Sequence, residues 1–257
     1  MTRDDLVKFH DGWFKPNHAT LLVVGDVTLA ELVPQLERAL GSWKPGDIPA
    51  KEIPAVPPRE RDEIYLVDRP GSEQSVVLGG QLVPPRANPD EIAFQAFNDA
   101  FGGAFTSRVN MNIREDKHWS YGAGSATVDA RGQRPWVLFA PVQTDKTKET
   151  VQELTDAKDR QTRTFAGRWE TGGAVRGALE EIATYGLPSD YYGTFVARMR
   201  ALTTEQVART AAQFVTPGKL VWVVIGDRAK VEAGLRALGL GDVHLVTAEG
   251  KPIAANP

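Results

Sequence analysis

One pattern occurs twice, and it restricts what this chain can fold into more than any other feature. Near the N-terminus the sequence reads Phe14-Lys15-Pro16-Asn17-His18-Ala19-Thr20-Leu21-Leu22-Val23-Val24-Gly25-Asp26. Near the C-terminus it reads Phe214-Val215-Thr216-Pro217-Gly218-Lys219-Leu220-Val221-Trp222-Val223-Val224-Ile225-Gly226-Asp227. Each copy has an aromatic residue, a Pro-Asn or Pro-Gly step, an apolar run and then Gly-Asp, with helical patterns on both sides. The Pro steps end a helix and turn the chain. The apolar runs predict buried strands. After the first copy, Thr28-Leu29-Ala30-Glu31 forms a capping box, and Leu29, Leu32, Leu36 and Leu40 continue at helical spacing.

The two Gly-Asp pairs stand 201 residues apart. If a domain has been duplicated, each unit is about that long. Residues 1–46 are then expected to be the C-terminal tail of one unit and 63–257 a complete second unit. Met1 falls inside a longer ancestral chain in this reading. Residues 47–62 make the linker: between Trp43 and Arg59 stand Pro45, Pro49, Pro54, Pro57 and Pro58, which can neither continue a helix nor enter a sheet interior.

In the main unit, Ile64–Asp68 and Gln74–Val83 predict strands. Asn88-Pro89-Asp90-Glu91 predicts a helix start, with Phe94, Phe97 and Phe101 on one face and a stop at Gly102-Gly103. A short helix over Ser107–Glu115 and strands over Tyr121–Arg131 and Pro135–Thr144 follow. Helices are predicted over 145–164, 170–185, 189–201 and 203–214, the last opened by the capping box Thr203-Thr204-Glu205-Gln206, before the final strand. Hairpins with segregated helices define an α+β fold: a mixed, largely antiparallel sheet with helices on one face.

Several chemistries are excluded. A net charge of −3 carries no electrostatic pull toward nucleic acid. Arg160, Arg163 and Arg168 cluster, but acids interrupt them as on a solvated helix face. With no cysteine there is neither a thiolate metal site nor a thiol nucleophile. No apolar run reaches the roughly 18 residues that span a bilayer, and the polar Met1–Asp5 start is no signal peptide. Dinucleotide, P-loop and G-x-S-x-G patterns are absent. The four histidines, His10, His18, His118 and His244, form neither H-E-x-x-H nor H-x-x-E-H, so no metal site is expected in this chain.

The stretch Phe101-Gly102-Gly103-Ala104-Phe105-Thr106-Ser107-Arg108-Val109-Asn110-Met111-Asn112-Ile113-Arg114-Glu115-Asp116-Lys117-His118-Trp119-Ser120-Tyr121-Gly122 resembles the C-terminal, non-zinc-binding domain of the insulinase/pitrilysin metallopeptidases. Val142–Thr147, Tyr185–Tyr192 and the Pro16–Leu21 segment agree with the same family. The resemblance implies the mitochondrial-processing-peptidase-like fold, in which two homologous domains close around a peptide and the other domain holds zinc. It implies that Arg114 and Tyr121, seven residues apart, contact substrate. Arg114 would offer a forked donor to a carbonyl or carboxylate, and Tyr121 a hydroxyl to the oxyanion. Taken without the resemblance, Arg114 reads as a surface ion-pair residue and Tyr121 as a ring packed on a strand.

The expected function is therefore the non-catalytic half of a zinc endopeptidase, inactive by itself. Zinc is expected in the missing domain or partner, within the same longer chain or a second subunit. The resemblance implies a peptide substrate and, from bacterial members, a periplasmic parent. An assembly scaffold of the same fold without proteolysis is the rival reading. A module that holds peptides by strand addition at a sheet edge is a third.

Overall fold

The computed structural model describes residues 1–156 and 172–253. The chain divides into two compact units. One takes Met1–Pro54 together with the later stretch that ends at Tyr192, and the other takes the remainder from Ala55.

The larger unit is built on a six-stranded sheet. Its strands are β1 (Glu63–Asp68), β2 (Gln74–Val83), β3 (Gly124–Thr127), β4 (Arg134–Gln143), β5 (Val221–Gly226) and β6 (Val243–Val246), in the order β3-β4-β2-β5-β1-β6. β1 pairs in parallel with β5 and β6, and the other three pairings are antiparallel. This is the mixed α+β sheet expected from the sequence. The second copy of the repeated pattern supplies β5, near the middle of the sheet between β1 and β2. Four-residue β6 is too short to stand out by periodicity.

Alternation places one side of each strand in a single core. Ile64 and Leu66, Val77, Trp136, Leu138 and Ala140, and Trp222 and Val224 are buried there together with Phe94, Phe97, Val151, Val207, Phe214 and Leu235 from the helices. These helices are α3 (Glu91–Asn98), α5 (Thr147–Asp156), α8 (Thr204–Phe214) and α9 (Arg228–Ala237). They cover one face of the sheet. Gly79 is the small residue this packing requires, since a Cβ there would overlap the Trp222 ring. The Thr203 hydroxyl accepts from Gln206 N–H at 3.2 Å, so the predicted capping box forms. The helix expected from Asn88 begins two residues later. Asn88 Oδ1 accepts from Asp90 N–H at 3.0 Å, a side-chain turn that delays the first helical residue.

The smaller unit contains α1 (Arg3–Trp13), α2 (Leu29–Leu40) and α6 (Gly172–Tyr185). Thr2 and Thr28 cap the first two with reciprocal boxes to Asp5 and Glu31. Asn17 and Gly46 exchange two hydrogen bonds of 3.0 and 3.1 Å, which anchors the start of the proline-rich segment. The first copy of the apolar run departs from expectation. Residues 19–24 form neither helix nor strand, and Leu21 and Val23 are exposed. A strand needs a neighbour for its backbone groups, and among the described residues this run has none. The basic trio Arg160, Arg163 and Arg168, the end of the helix predicted over 145–164 and the start of that over 170–185 lie outside the described residues. The helix predicted from residue 189 begins at Tyr191, as α7 (Tyr191–Ala201).

Candidate functional site

The Phe101–Gly122 stretch leaves the core through a widened helical turn (Asp99–Gly103) that continues α3. Gly102 lies flush against β3, where a Cβ would overlap Ser125. After a loop, Ser107 precedes α4 (Arg108–Asn110), which widens into a π-type turn over Met111–Asp116. Val109 and Ile113 bury the inner side of this segment, and Arg114 emerges from its outer side.

Arg114 sits partly exposed, its guanidinium 4.6 Å from the centroid of the Phe105 ring and its Nη1 3.1 Å from Glu115 Oε1. That ion pair lacks hydrogen-bond geometry, so the buried Nη1 keeps an unused donor. Stacking on the ring holds the planar fork while leaving donors free for a carbonyl or carboxylate. The turn after Arg114 is closed by His118, which takes the left-handed conformation at φ 55°. His118 and Trp119 N–H return to the carbonyls of Arg114 and Ile113 at 3.2 and 3.0 Å, and His118 Nδ1 is 3.1 Å from the same Arg114 carbonyl. A non-glycine residue tolerates this backbone only at a cost, and these bonds offset it.

Tyr121 stands on the next turn rather than within a strand, because β3 begins only at Gly124. The Ser120 hydroxyl accepts from Gly122 N–H at 3.1 Å and donates to Gly122 C=O at 2.8 Å, which folds the chain around Tyr121. The Tyr121 side chain is 90% exposed. Arg114 and Tyr121 thus flank one rigid turn, and no hydrogen bond joins their side chains. The family resemblance singled out both residues as candidates but not the aromatic ring under Arg114. The only signal for Phe105 was an apolar residue in a glycine-rich loop.

The turn is tied to the rest of its unit by Glu153 of α5. Its carboxylate accepts from Asn112 at 2.5 Å and pairs with Lys117 at 2.7 Å. Burial pushes this carboxyl up, but the hydrogen bonds from Lys117 and Asn112 outweigh burial and hold it below the ordinary range. A depressed folded value stabilises the native state above the unfolded carboxyl pKa, about 4.3, and that share is lost as pH falls through the folded value. Glu153→Gln is therefore expected to be less stable than the parent at pH 7. The gap should narrow progressively below about pH 4.3, as read by urea unfolding at both pH values.

The larger unit carries an apolar groove of about 760 Å³ beside the sheet. Leu78, Leu82, Val137, Val221 and Val223 line it, with the Val56–Arg59 segment along one wall. The Gln133 amide fixes that wall: Val56 N–H donates to its Oε1 at 2.6 Å, and its Nε2 donates to Val56 C=O at 3.1 Å.

Among the described residues no group of three His, Asp or Glu could hold a metal ion. His10 lies beside Asp11 and stacks on Phe14, and His244 stacks on Tyr65. The donor set for zinc is not assembled by these residues. No helix of the described residues is long and apolar enough to cross a membrane.

The chain is similar to known proteins in sequence and in fold. The family described as the peptidase M16 inactive domain matches residues 1–160. The zinc protease PqqE of Helicobacter pylori is 24% identical over 154 residues, which are 59% of this chain and 35% of that protein. A peptidase M16 inactive domain from Pseudomonas fluorescens has a similar fold, with a TM-score of 0.80 at 24% identity over 88% of this chain and 57% of that one. A protease from Helicobacter pylori gives 0.72 at 20% identity, over 88% and 59%. The chain spans about a third of the curated relative and less than two thirds of either solved chain.

Proposed function

The chain belongs to the peptidase M16 inactive-domain family, and from that premise we propose that it is the non-hydrolytic half of a zinc endopeptidase, closing the peptide chamber and contacting substrate. The observation that carries this reading is the built turn between Arg114 and Tyr121. Five hydrogen bonds through His118, Trp119 and Ser120 hold a turn whose two prominent side chains satisfy no partner in the core. An exposed aromatic ring on a rigid turn is poised for a ligand rather than for packing. The apolar groove beside the sheet supplies a wall suited to an extended, unfolded peptide. The zinc and its activated water come from a homologous domain or subunit. Mixing the chain with a zinc-bearing half should release cleavage of a quenched peptide that neither part shows alone. If the zinc-bearing half is fully active by itself, the scaffold reading replaces this one.

The same proposal gives residues 1–46 a place as the tail of the zinc-bearing domain. The repeat indicates how. Thr2 and Thr203 cap equivalent helices, and in the 201-residue register of the two Gly-Asp pairs Val207, Thr210 and Phe214 of α8 correspond to Leu6, Phe9 and Trp13 of α1. The former set is buried, yet neither α1 nor α2 buries a residue. Likewise Trp222 and Val224 of β5 correspond to the exposed Leu21 and Val23. On this reading residues 20–25 would become a strand in the presence of the zinc-bearing domain, with one parallel and one antiparallel neighbour, as β5 has in β1 and β2. Hydrogen exchange tests this. The amides of residues 21–24 should exchange freely in the chain alone and become protected by at least about tenfold with the zinc-bearing half present. Unchanged exchange in the mixture would remove the assignment.

A further inference from the structure

We propose that Asn110 is a positioning residue whose side-chain amide locks the Arg114 and Tyr121 sides of the site into one unit; the inference rests on the reading that these two residues face substrate. Asn110 ends α4 and is 5% exposed. Both ends of its carboxamide are engaged. Nδ2 donates to the Phe105 carbonyl at 2.7 Å, and Oδ1 accepts from Ala123 N–H at 3.1 Å.

These two contacts reach the two halves of the site. Phe105 is the seat of the Arg114 guanidinium, and its ring is 65% exposed, so packing does little to place it. Its position depends on the backbone that Asn110 holds. Ala123 follows the Ser120–Gly122 turn and lies two residues from Tyr121. The Tyr121 ring has no core contact to set its direction, so its place too is inherited from the backbone beneath it. One planar group with a donor at one end and an acceptor at the other therefore spans both loops. Only a primary amide offers that combination at this length. Asp keeps the shape but faces the Phe105 carbonyl with an acceptor, and Ala offers neither contact.

A purely structural Asn110 would affect how much of the chain folds, but not the local motion of Tyr121 in folded molecules. The test uses the full chain labelled with 3-fluorotyrosine. The Tyr121 fluorine resonance is identified by its loss in Tyr121→Phe. In Asn110→Asp and Asn110→Ala the Tyr121 line should narrow about twofold, as an exposed ring gains fast local motion. The resonances of the remaining tyrosines should hold their widths. A Tyr121 line unchanged in either folded variant overturns the proposal. A second measurement needs no substitution at Asn110. The Ala123 amide of the parent should exchange at least about tenfold more slowly than an open loop amide. Exchange at the open-loop rate overturns the proposal even if both variants fail to fold. Both readouts are taken on the chain alone. Failure of the Arg114 and Tyr121 assignment shows instead in peptide cleavage with the zinc-bearing half, so the two failures are distinct.

Discussion

Glu91→Gln is expected to destabilise the larger unit by about 3–5 kcal/mol, enough to remove a large part of the stability of an ordinary domain. Glu91 is buried at the start of α3, and Arg134, the first residue of β4, is 0% exposed. They form an ion pair inside the protein, with Arg86 and Asp129 completing a group of two guanidiniums and two carboxylates. Arg134 Nε also donates to the Pro84 carbonyl at 3.0 Å, and Glu91 accepts from Asn88 and Gln95. Such a group contributes little over an apolar replacement of the same volume, since desolvation offsets the attraction. Removing one member is different, because the partner charges stay buried without balance. With Gln at position 91, two guanidiniums face the single carboxylate of Asp129.

The prediction therefore has an internal check. Arg134→Met should cost a similar amount, and the Glu91→Gln, Arg134→Met double variant should cost clearly less than the two losses added together. Urea unfolding of the four proteins measures the cycle. Additive losses would show that the two residues act independently, contrary to the contacts between them.

What the sequence could and could not disclose follows from the range of each interaction. The capping boxes at Thr28 and Thr203, the stop at Gly102-Gly103 and the Val221–Gly226 strand are local in cause, and local chemistry exposes them. The status of residues 19–24 is not local. The same apolar run is a strand at residues 221–226, where β1 and β2 lie on either side, and pairs with no strand among the described residues at its other occurrence. Residues 121–123 were expected to open a strand, but the Ser120 hydroxyl and the Asn110 amide take up their backbone groups, and pairing begins at Gly124. The Glu91–Arg134 pair joins residues 43 positions apart, beyond any periodicity. For the candidate site, family resemblance singled out Arg114 and Tyr121. The devices that hold them, Phe105, Asn110 and His118, are ordinary residue types whose roles arise only when the loops meet. Asn110 did leave one trace: a polar amide between Val109 and Ile113 on a segment that turns inward.

Tyr121→Phe should lower kcat by about 10²–10³ when the chain is assayed with a zinc-bearing half, with KM nearly unchanged. The substitution removes one oxygen and leaves the ring. A hydroxyl aimed at the oxyanion that forms when water attacks a peptide carbonyl strengthens in the transition state, so its loss appears in kcat rather than in binding. Arg114→Ala should differ in kind. Its fork would grip a carbonyl or carboxylate already present in the bound peptide, so KM should rise as well. Stability separates these effects from damage to the fold. Tyr121 is almost wholly exposed, and exposed substitutions usually change stability by less than about 0.5 kcal/mol. Tyr121→Phe should thus unfold in urea with the parent while losing turnover. Full turnover in both variants would leave Arg114 as a surface cation and Tyr121 as an exposed ring, with no contact to the reacting bond.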